Sequence, residues 1–492
     1  MEQADKRKIA RVSEEPEGGE DRISWLSTEL IHEILSFVDA RSAVQTSVLS
    51  KRWKLVWRTL PYVNFTNYDG SLHNHETRGR FICNFFLRRS NLSDLLKVNF
   101  EFDNLFFTCV SKAMLNKARE VKFESFPSGF ELDSYIYSMN SPSLHKLTVR
   151  PIRGELSATR CWNLPALTTL HLAAQPDHRI LLPEWYLSCL PALRTLVLEG
   201  FQLPDPISLP ALTSLHLTNC ILPQNSWDFP ALLTLKLDAV SFPESRFFSA
   251  LVNLKNLILF FRGNITEECL ISCPQLENLE IISPVRTTTY HSGNIIVLAH
   301  RIRNFTSVGF FPIMFGVSEL ENGFQLLDSI SLPALTTLHQ KDCILPLEIS
   351  VSALLTLKLD ALFTSVGFFP IMFAVSSELE NVNIKLRGGN GDEPLASWEE
   401  LKNYYTWVIY MFPGLSSAKI LTLDSKTIEL KHMKVPQGHK DSSISADLKR
   451  YLLGRSPVAT LVTTLPQVLT LITLRASAAF LVLILYCAIC VL

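Results

Sequence analysis

The chain has 492 residues, with 46 Lys and Arg against 47 Asp and Glu, for a formal net charge of −1. That balance excludes a global field drawing the molecule to nucleic acid or acidic membrane. Charged residues make up 19%, below the roughly 25% of ordinary domains, which fits a large repetitive core. At about 100–200 residues per domain, roughly two to four domains are expected. The ten cysteines are scattered, and residues 1–20 are polar and charged, unlike a secretory signal. Reduced thiols and an intracellular setting, cytoplasm or nucleus, follow as expectations.

Residues 1–20 end in Glu14-Glu15-Pro16-Glu17-Gly18-Gly19-Glu20 and read as a disordered tail. Its basic cluster, Lys6-Arg7-Lys8 with Arg11, reads as solvated chain before it reads as a nuclear signal. From Asp21 to Phe65 three short amphipathic patterns follow one another. Leu30, Ile31, Ile34, Leu35 and Val38 form one helical face, with Ser27 or Thr28 able to cap it and Glu29 in the first turn. Ala43, Val44, Ser47 and Val48 make a second stripe. Ser50 offers a cap for a third helix carrying Trp53, Trp57 and Leu60. Three helices within about 45 residues bury little apolar surface, so the unit calls for something to dock on.

This stretch closely resembles the F-box, in the form that plant proteins follow with leucine-rich repeats. The resemblance rests on Asp21-Arg22-Ile23-Ser24, on Glu29-Leu30 through Leu35-Ser36-Phe37, and above all on Thr46-Ser47-Val48-Leu49-Ser50-Lys51-Arg52-Trp53 with Trp57. The family usually has proline where Ser27 stands and commonly another just after Phe37. The first lies at the helix start that faces the partner. Leu26, Leu30, Ile31, Ile34, Leu35, Val48, Leu49, Trp53 and Trp57 are nominated for a mixture of docking and module core, which the sequence does not separate.

After a linker or helical cap over residues 66–94, the pattern LxxLxL starts at Leu95, Ala118, Leu144, Leu167, Leu193, Leu212, Leu232, Leu254 and Leu276. The steps of 19–26 residues fall near the leucine-rich-repeat period of about 20–29 residues. In each unit the last two apolar residues point inward and the residues between them face out. Stacked strands then share one continuous core. Pro165, Pro191, Pro210 and Pro230 precede strands in a Pro-Ala-Leu context, which suits an entering turn. An asparagine ladder is expected only in patches, at Asn219 and Asn278. His171 and His216 are expected as solvent-facing positions on the strands.

Between residues 277 and 380 the register is expected to fail. Phe305–Phe315 recurs as Phe363–Phe373, and Ala231–Ala239 recurs identically as Ala353–Ala361. Gln340 takes the place of an inward leucine, so residues 318–352 are expected to be strained or partly disordered. The repeats resume through Leu379-Val382-Ile384 and Ala418-Leu421-Leu423, with a helix over Trp398–Phe412 between them. Gly388-Gly389-Asn390-Gly391-Asp392 is a loop without phosphate-cradle spacing. Past a linker at 431–455, residues 456–492 form an apolar tail in place of the FBD domain that often ends this family. Its last seventeen residues, 476–492, sit at the lower edge of a bilayer span, about 17–25 residues. A tail anchor and an accidentally apolar end both remain open there, and Cys487 and Cys490 read as inert.

No GxSxG, HExxH, paired CxxC or P-loop pattern is present. Cys269 and Cys273 read as a reduced core pair on one helical turn. No catalytic residue, cofactor or metal is therefore assigned. The expected fold is α/β, a three-helix F-box followed by an irregular solenoid of parallel strands, helices and loops over residues 95–430. The resemblance implies a non-catalytic, substrate-recognition subunit of an SCF-type ubiquitin ligase. Its F-box would dock a Skp-family linker and through it a cullin scaffold, and its repeats would hold a target protein. The alternatives are a ubiquitin-independent repeat scaffold and a tail-anchored membrane protein.

Overall fold

The computed structural model describes residues 26–65, 75–90, 93–101, 117–124, 130–131, 140–153, 162–175, 179–223, 227–239, 247–262, 269–283, 295–309, 313–319, 323–326, 329–341, 348–350, 353–362, 372–374, 379–387, 420–424, 462–463 and 471–474. The chain divides into two compact units, Met1–Ser128 and Gly129–Leu492.

In the first unit the Ser27 hydroxyl caps α1 (Thr28–Ser36), accepting the Leu30 N–H at 3.3 Å. Asp39 caps α2 (Ala40–Gln45) through the N–H groups of Arg41 and Ser42, at 2.8 and 3.0 Å. The chain then tightens into two 3₁₀ turns, Thr46–Val48 and Trp53–Thr59. The expected third helix is therefore 3₁₀ rather than α, although Ser50 does meet the Trp53 N–H, at 3.4 Å. Pro61 holds Leu60 extended (ψ 124°) and turns the chain into a strand.

That strand, β1 (Tyr62–Phe65), pairs in parallel with β2 (Leu95–Glu101), and β2 with β3 (Ala118–Glu124). Phe65, Phe100 and Phe123 share one register row and stack, with centroids 5.4 and 5.2 Å apart. From α3 (His75–Arg88), Phe81, Phe85 and Phe86 ring Phe65, and Phe85 lies 5.2 Å from Trp57. Trp57 and Phe65 thus tie the helical unit into a larger aromatic core rather than leaving it a free-standing module. The rung at β1 carries the same pattern in Leu60, Val63 and Phe65, all buried, although Leu60 also completes the helical stripe of Trp53 and Trp57.

The second unit is a ladder of parallel strands in chain order: β4 (Lys146–Arg153), β5 (Thr169–Ala174), β6 (Thr195–Glu199), β7 (Ser214–Thr218), β8 (Thr234–Asp238), β9 (Asn256–Phe260), β10 (Asn278–Ile282), β11 (Asn304–Val308), β12 (Thr337–Lys341), β13 (Thr356–Leu362), β14 (Asn381–Arg387) and β15 (Ile420–Asp424). Two inward columns run along it. One passes through Leu147, Leu170, Leu196, Leu215, Leu235, Leu257, Leu279, Phe305, Leu338, Leu357 and Val382. The other passes through Val149, Leu172, Leu198, Leu217, Leu237, Leu259 and Ile281. Every one of these residues is at most 2% exposed. Full burial of such a side chain stabilises by about 1.5–3 kcal/mol. Strands β5 to β10 and β12 are each entered by a tight turn, as when the Leu167 N–H reaches the Leu164 carbonyl across Pro165-Ala166 at 3.0 Å. Proline sits in the turn position that its fixed φ suits.

The expected break at 277–380 is not a break. Strand β11 fills it, following β10 and preceding β12 in unbroken register. It was hidden because its inward residues are Phe305 and Ser307 instead of two leucines. Gln340 is buried as expected, and its Nε2 donates to the buried Ser307 hydroxyl on the neighbouring rung at 3.5 Å. Of residues 318–352, the described ones include Thr337–Lys341, a regular rung, so the strain expected there does not disturb the ladder. The identical segments Ala231–Ala239 and Ala353–Ala361 both form rungs, with Leu235 and Leu357 equally buried.

Cys269 and Cys273 lie on and just after a strand, Cys269–Ser272, not on a helical turn. Both are buried, and burial pushes each thiol up to about 12. Of the apolar tail, Leu471–Leu474 pairs antiparallel with β15, and Val462–Thr463 pairs with it in turn. Residues 1–20, the Gly388–Asp392 loop, Trp398–Phe412, the linker 431–455 and the candidate span 476–492 lie outside the described residues. Among the described residues no helix is long and apolar enough to cross a membrane.

Candidate functional site

The structure separates the nine nominated residues where the sequence could not. On α1, Ile31 and Leu35 are buried, whereas Leu30 and Ile34 are 49% and 46% exposed. Phe37, one further turn along the exposed stripe, is 82% exposed. Trp53 and Trp57 are buried with Val56 and Leu60, so both tryptophans belong to the core. Val48 and Leu49, at the end of the first 3₁₀ turn, are 86% and 55% exposed. Leu26 is half-buried. Two residues that the sequence reading did not nominate, Phe37 and Leu55, are also exposed. Phe37 lay within reach, because it continues the i, i+4, i+7 stripe of Leu30 and Ile34. Leu55 falls off the Trp53–Trp57 stripe and carries no signal.

These exposed side chains form an apolar stripe on α1 and an apolar corner at Val48-Leu49. Leaving so many large apolar groups in water is unfavourable unless something covers them. The underlying core is already complete, so they are not needed to hold the unit together.

Polar contacts fix the geometry below the stripe. The Thr59 hydroxyl donates to the Val56 carbonyl at 2.9 Å, so its oxygen accepts from His32 Nε2–H, at 3.0 Å. This bond ties α1 to the Trp53–Thr59 turn and sets the neutral tautomer. Burial lowers the His32 pKa from its ordinary 6.5, helped by Arg89 and opposed by Glu29. Burial also pulls the Arg89 guanidinium down to about 10, while its Nη2 donates to the Asp94 carbonyl at 3.0 Å. Hydrogen bonds from its own backbone and from Ser27 hold Glu29 below the usual carboxylate range.

A second surface is the outward face of the ladder. Its first column holds Thr169, Thr195, Ser214, Thr234, Asn256, Asn278, Asn304, Thr337, Thr356 and Asn381. Amides link four successive rungs: Asn256 Nδ2 donates to Thr234 Oγ1 at 3.1 Å, Asn278 to Asn256 at 2.5 Å and Asn304 to Asn278 at 2.5 Å. Of the expected ladder positions, Asn278 is in this chain. Asn219 instead takes a left-handed turn (φ 52°) that few residue types adopt readily. His171 and His216 are half-buried rather than freely solvated. Burial and then Lys236 lower the His216 pKa. Among the described residues no cluster of His, Cys, Asp and Glu could hold a metal.

The helical unit leaves apolar stripes exposed, and the parallel leucine ladder has the architecture of a leucine-rich-repeat solenoid. Residues 23–64 match the F-box domain family. An FBD-associated F-box protein of Arabidopsis thaliana is 30% identical over 191 residues, covering 36% of this chain and 46% of that protein. An F-box/LRR-repeat protein of the same plant is 30% identical over 161 residues, covering 31% of this chain and 51% of that one. The resemblance to plant F-box/LRR proteins is thereby shown, and the chain spans about half the length of these relatives. A solved structure described as a crystal structure of a TLR13–ssRNA13 complex is 13% identical, covering 80% of this chain and 59% of that one, with a TM-score of 0.36.

Proposed function

We propose that the chain is the substrate-recognition subunit of an SCF-type ubiquitin ligase, working in the cytoplasm or nucleus. Leu30, Ile34, Phe37, Val48 and Leu49 dock a Skp-family linker, which joins a cullin scaffold. The outward face of the ladder holds a target protein. The one observation that carries this reading is the division of the F-box: its core is filled by Ile31, Leu35, Trp53 and Trp57, while a stripe of equally large residues is left in water. The contribution is proximity. Holding a target beside the transfer site raises its effective concentration, and the covalent chemistry belongs to other subunits.

The test is capture of a purified Skp-family linker by the full chain. The unmodified protein is expected to bind. Val48→Glu with Leu49→Glu is expected to weaken binding by tenfold or more, about 1.4 kcal/mol, without lowering the melting temperature. No capture by the unmodified protein would overturn the adaptor reading and leave a ubiquitin-independent scaffold.

A further inference from the structure

In the second unit, side-chain amides link rung to rung along the outward face. The first unit uses the same chemistry, but there the amide row leaves the sheet. Asn64 of β1 and Asn99 of β2 occupy one register row, and Asn99 Nδ2 donates to Asn64 Oδ1 at 2.7 Å. Asn64 Nδ2 then donates to the carbonyl of Ser36, the last residue of α1, at 3.0 Å. The row stops at β2. Lys122, next along it on β3, gives its ammonium to Glu124, and Asn99 Oδ1 is buried with no partner.

The carbonyls of a helix's last turn have no partner within the helix. A left-handed residue commonly closes such a turn, and none follows α1. Asn64 supplies a donor from another element instead. Three residues on from Ser36, Asp39 caps α2 through the Arg41 and Ser42 N–H groups. The corner Phe37-Val38 is therefore pinned at both ends, by Asn64 at Ser36 and by α2 at Asp39. The Phe37 side chain, 82% exposed, does little to hold that corner itself. Parallel backbone pairing already joins β1 to β2, so the relay adds little to the sheet, and its unpartnered end costs stability. What it supplies is a fixed link from the first two rungs to the end of the exposed stripe.

We propose that Asn64 and Asn99 are positioning residues for docking: their relay holds the Phe37 corner in the conformation that meets a Skp-family linker. A corner ordered in advance spares binding the cost of ordering it. This inference rests on the adaptor reading and deepens it, giving a role to two residues outside the docking stripe.

The experiment measures linker capture, melting temperature and hydrogen exchange on the full chain. Asn64→Asp keeps an acceptor for Asn99 Nδ2, but its carboxylate cannot donate to the Ser36 carbonyl. It is expected to weaken capture about fivefold, the worth of one hydrogen bond, and to speed exchange over Ser36–Asp39. In a Phe37→Ala background the same substitution is expected to cost no further capture. A merely structural role would lower the melting temperature and leave capture by the folded chain unchanged. Asn99→Leu removes the donor to Asn64 without adding charge and is expected to act in the same direction. It carries the test should Asn64→Asp fail to fold. Capture by both variants equal to that of the unmodified chain, equal losses with and without Phe37, or unchanged exchange over Ser36–Asp39 would overturn the proposal. An unmodified chain that captures no linker would overturn the adaptor reading and this inference with it. Capture that ignores the relay would overturn this inference alone.

Discussion

Leucine means different things in the two units. In the ladder, Leu215 has a rung on each side and turns beneath it, and its side chain is wholly buried. On α1, Leu30 sits one residue from buried Ile31 and remains half in solvent. Periodicity predicts burial reliably when each element is flanked by copies of itself. It fails at a small helical unit that leaves one face of α1 uncovered.

The sharpest way to break that comparison is a pair of truncations. Leu257→Ala should destabilise the chain by about 2–5 kcal/mol, because the rungs on either side prevent collapse of the cavity. Leu49→Ala should change stability by no more than about 0.5 kcal/mol, as an exposed substitution does. Denaturant unfolding of the two variants measures both. Equal losses would mean that the exposed F-box residues are structural after all.

A smaller effect is expected where the ladder departs from its own rule. Ser307 and Gln340 place a hydroxyl and an amide side by side in a column whose preceding rungs hold only valine, leucine and isoleucine. Their shared hydrogen bond is long at 3.5 Å. Replacing both partners of a buried polar pair by apolar groups of similar shape is near neutral or stabilising. Ser307→Ala combined with Gln340→Leu should therefore stabilise the protein by about 1 kcal/mol or more, read as a higher denaturant midpoint. Asn278→Ala should cost about 1 kcal/mol, because one residue links two amide bonds of the chain from Thr234 to Asn304.

These sites also mark where the fold was legible in sequence. Nine pattern starts from Leu95 to Leu276 were readable because two inward apolar residues recur at the same spacing in each. The rung at Asn304–Val308 was not, since Ser307 breaks the only pattern available and the next clear LxxL lies at Leu335. Residues 62–65 were passed over for a different reason: Leu60, which opens their LxxLxL, also continues the Trp53–Trp57 helical stripe, and the partner strand begins thirty-odd residues later, at Leu95. Among the F-box nominations the sequence did not divide buried from exposed residues. That division needed Phe85 of α3, whose contact with Trp57 shows that the tryptophans face the core. No local pattern encodes that contact.

The smallest expected effect lies at the joint between stripe and core. His32 is held neutral, its Nε2–H donated to Thr59 and its surroundings partly desolvated, with Arg89 adding repulsion toward a charged imidazole. Its folded pKa is therefore below 6.5, the value expected when unfolded. A depressed histidine pKa means that the unfolded chain binds the proton more readily. The contribution to stability is then complete above pH 6.5 and is lost as pH falls from there through the folded pKa. Glu29, one turn away, softens the penalty without reversing it, because burial is the larger cause. Thermal unfolding of the full chain and of His32→Gln, compared at pH 7.5 and then at successively lower pH below 6.5, isolates this group from His216 and His339, which both variants retain. The difference between the two melting temperatures should shrink as the solution is acidified. A difference that stays constant across the range would mean that His32 is as free to charge in the folded unit as out of it, and that the joint beneath the exposed stripe is solvated rather than packed.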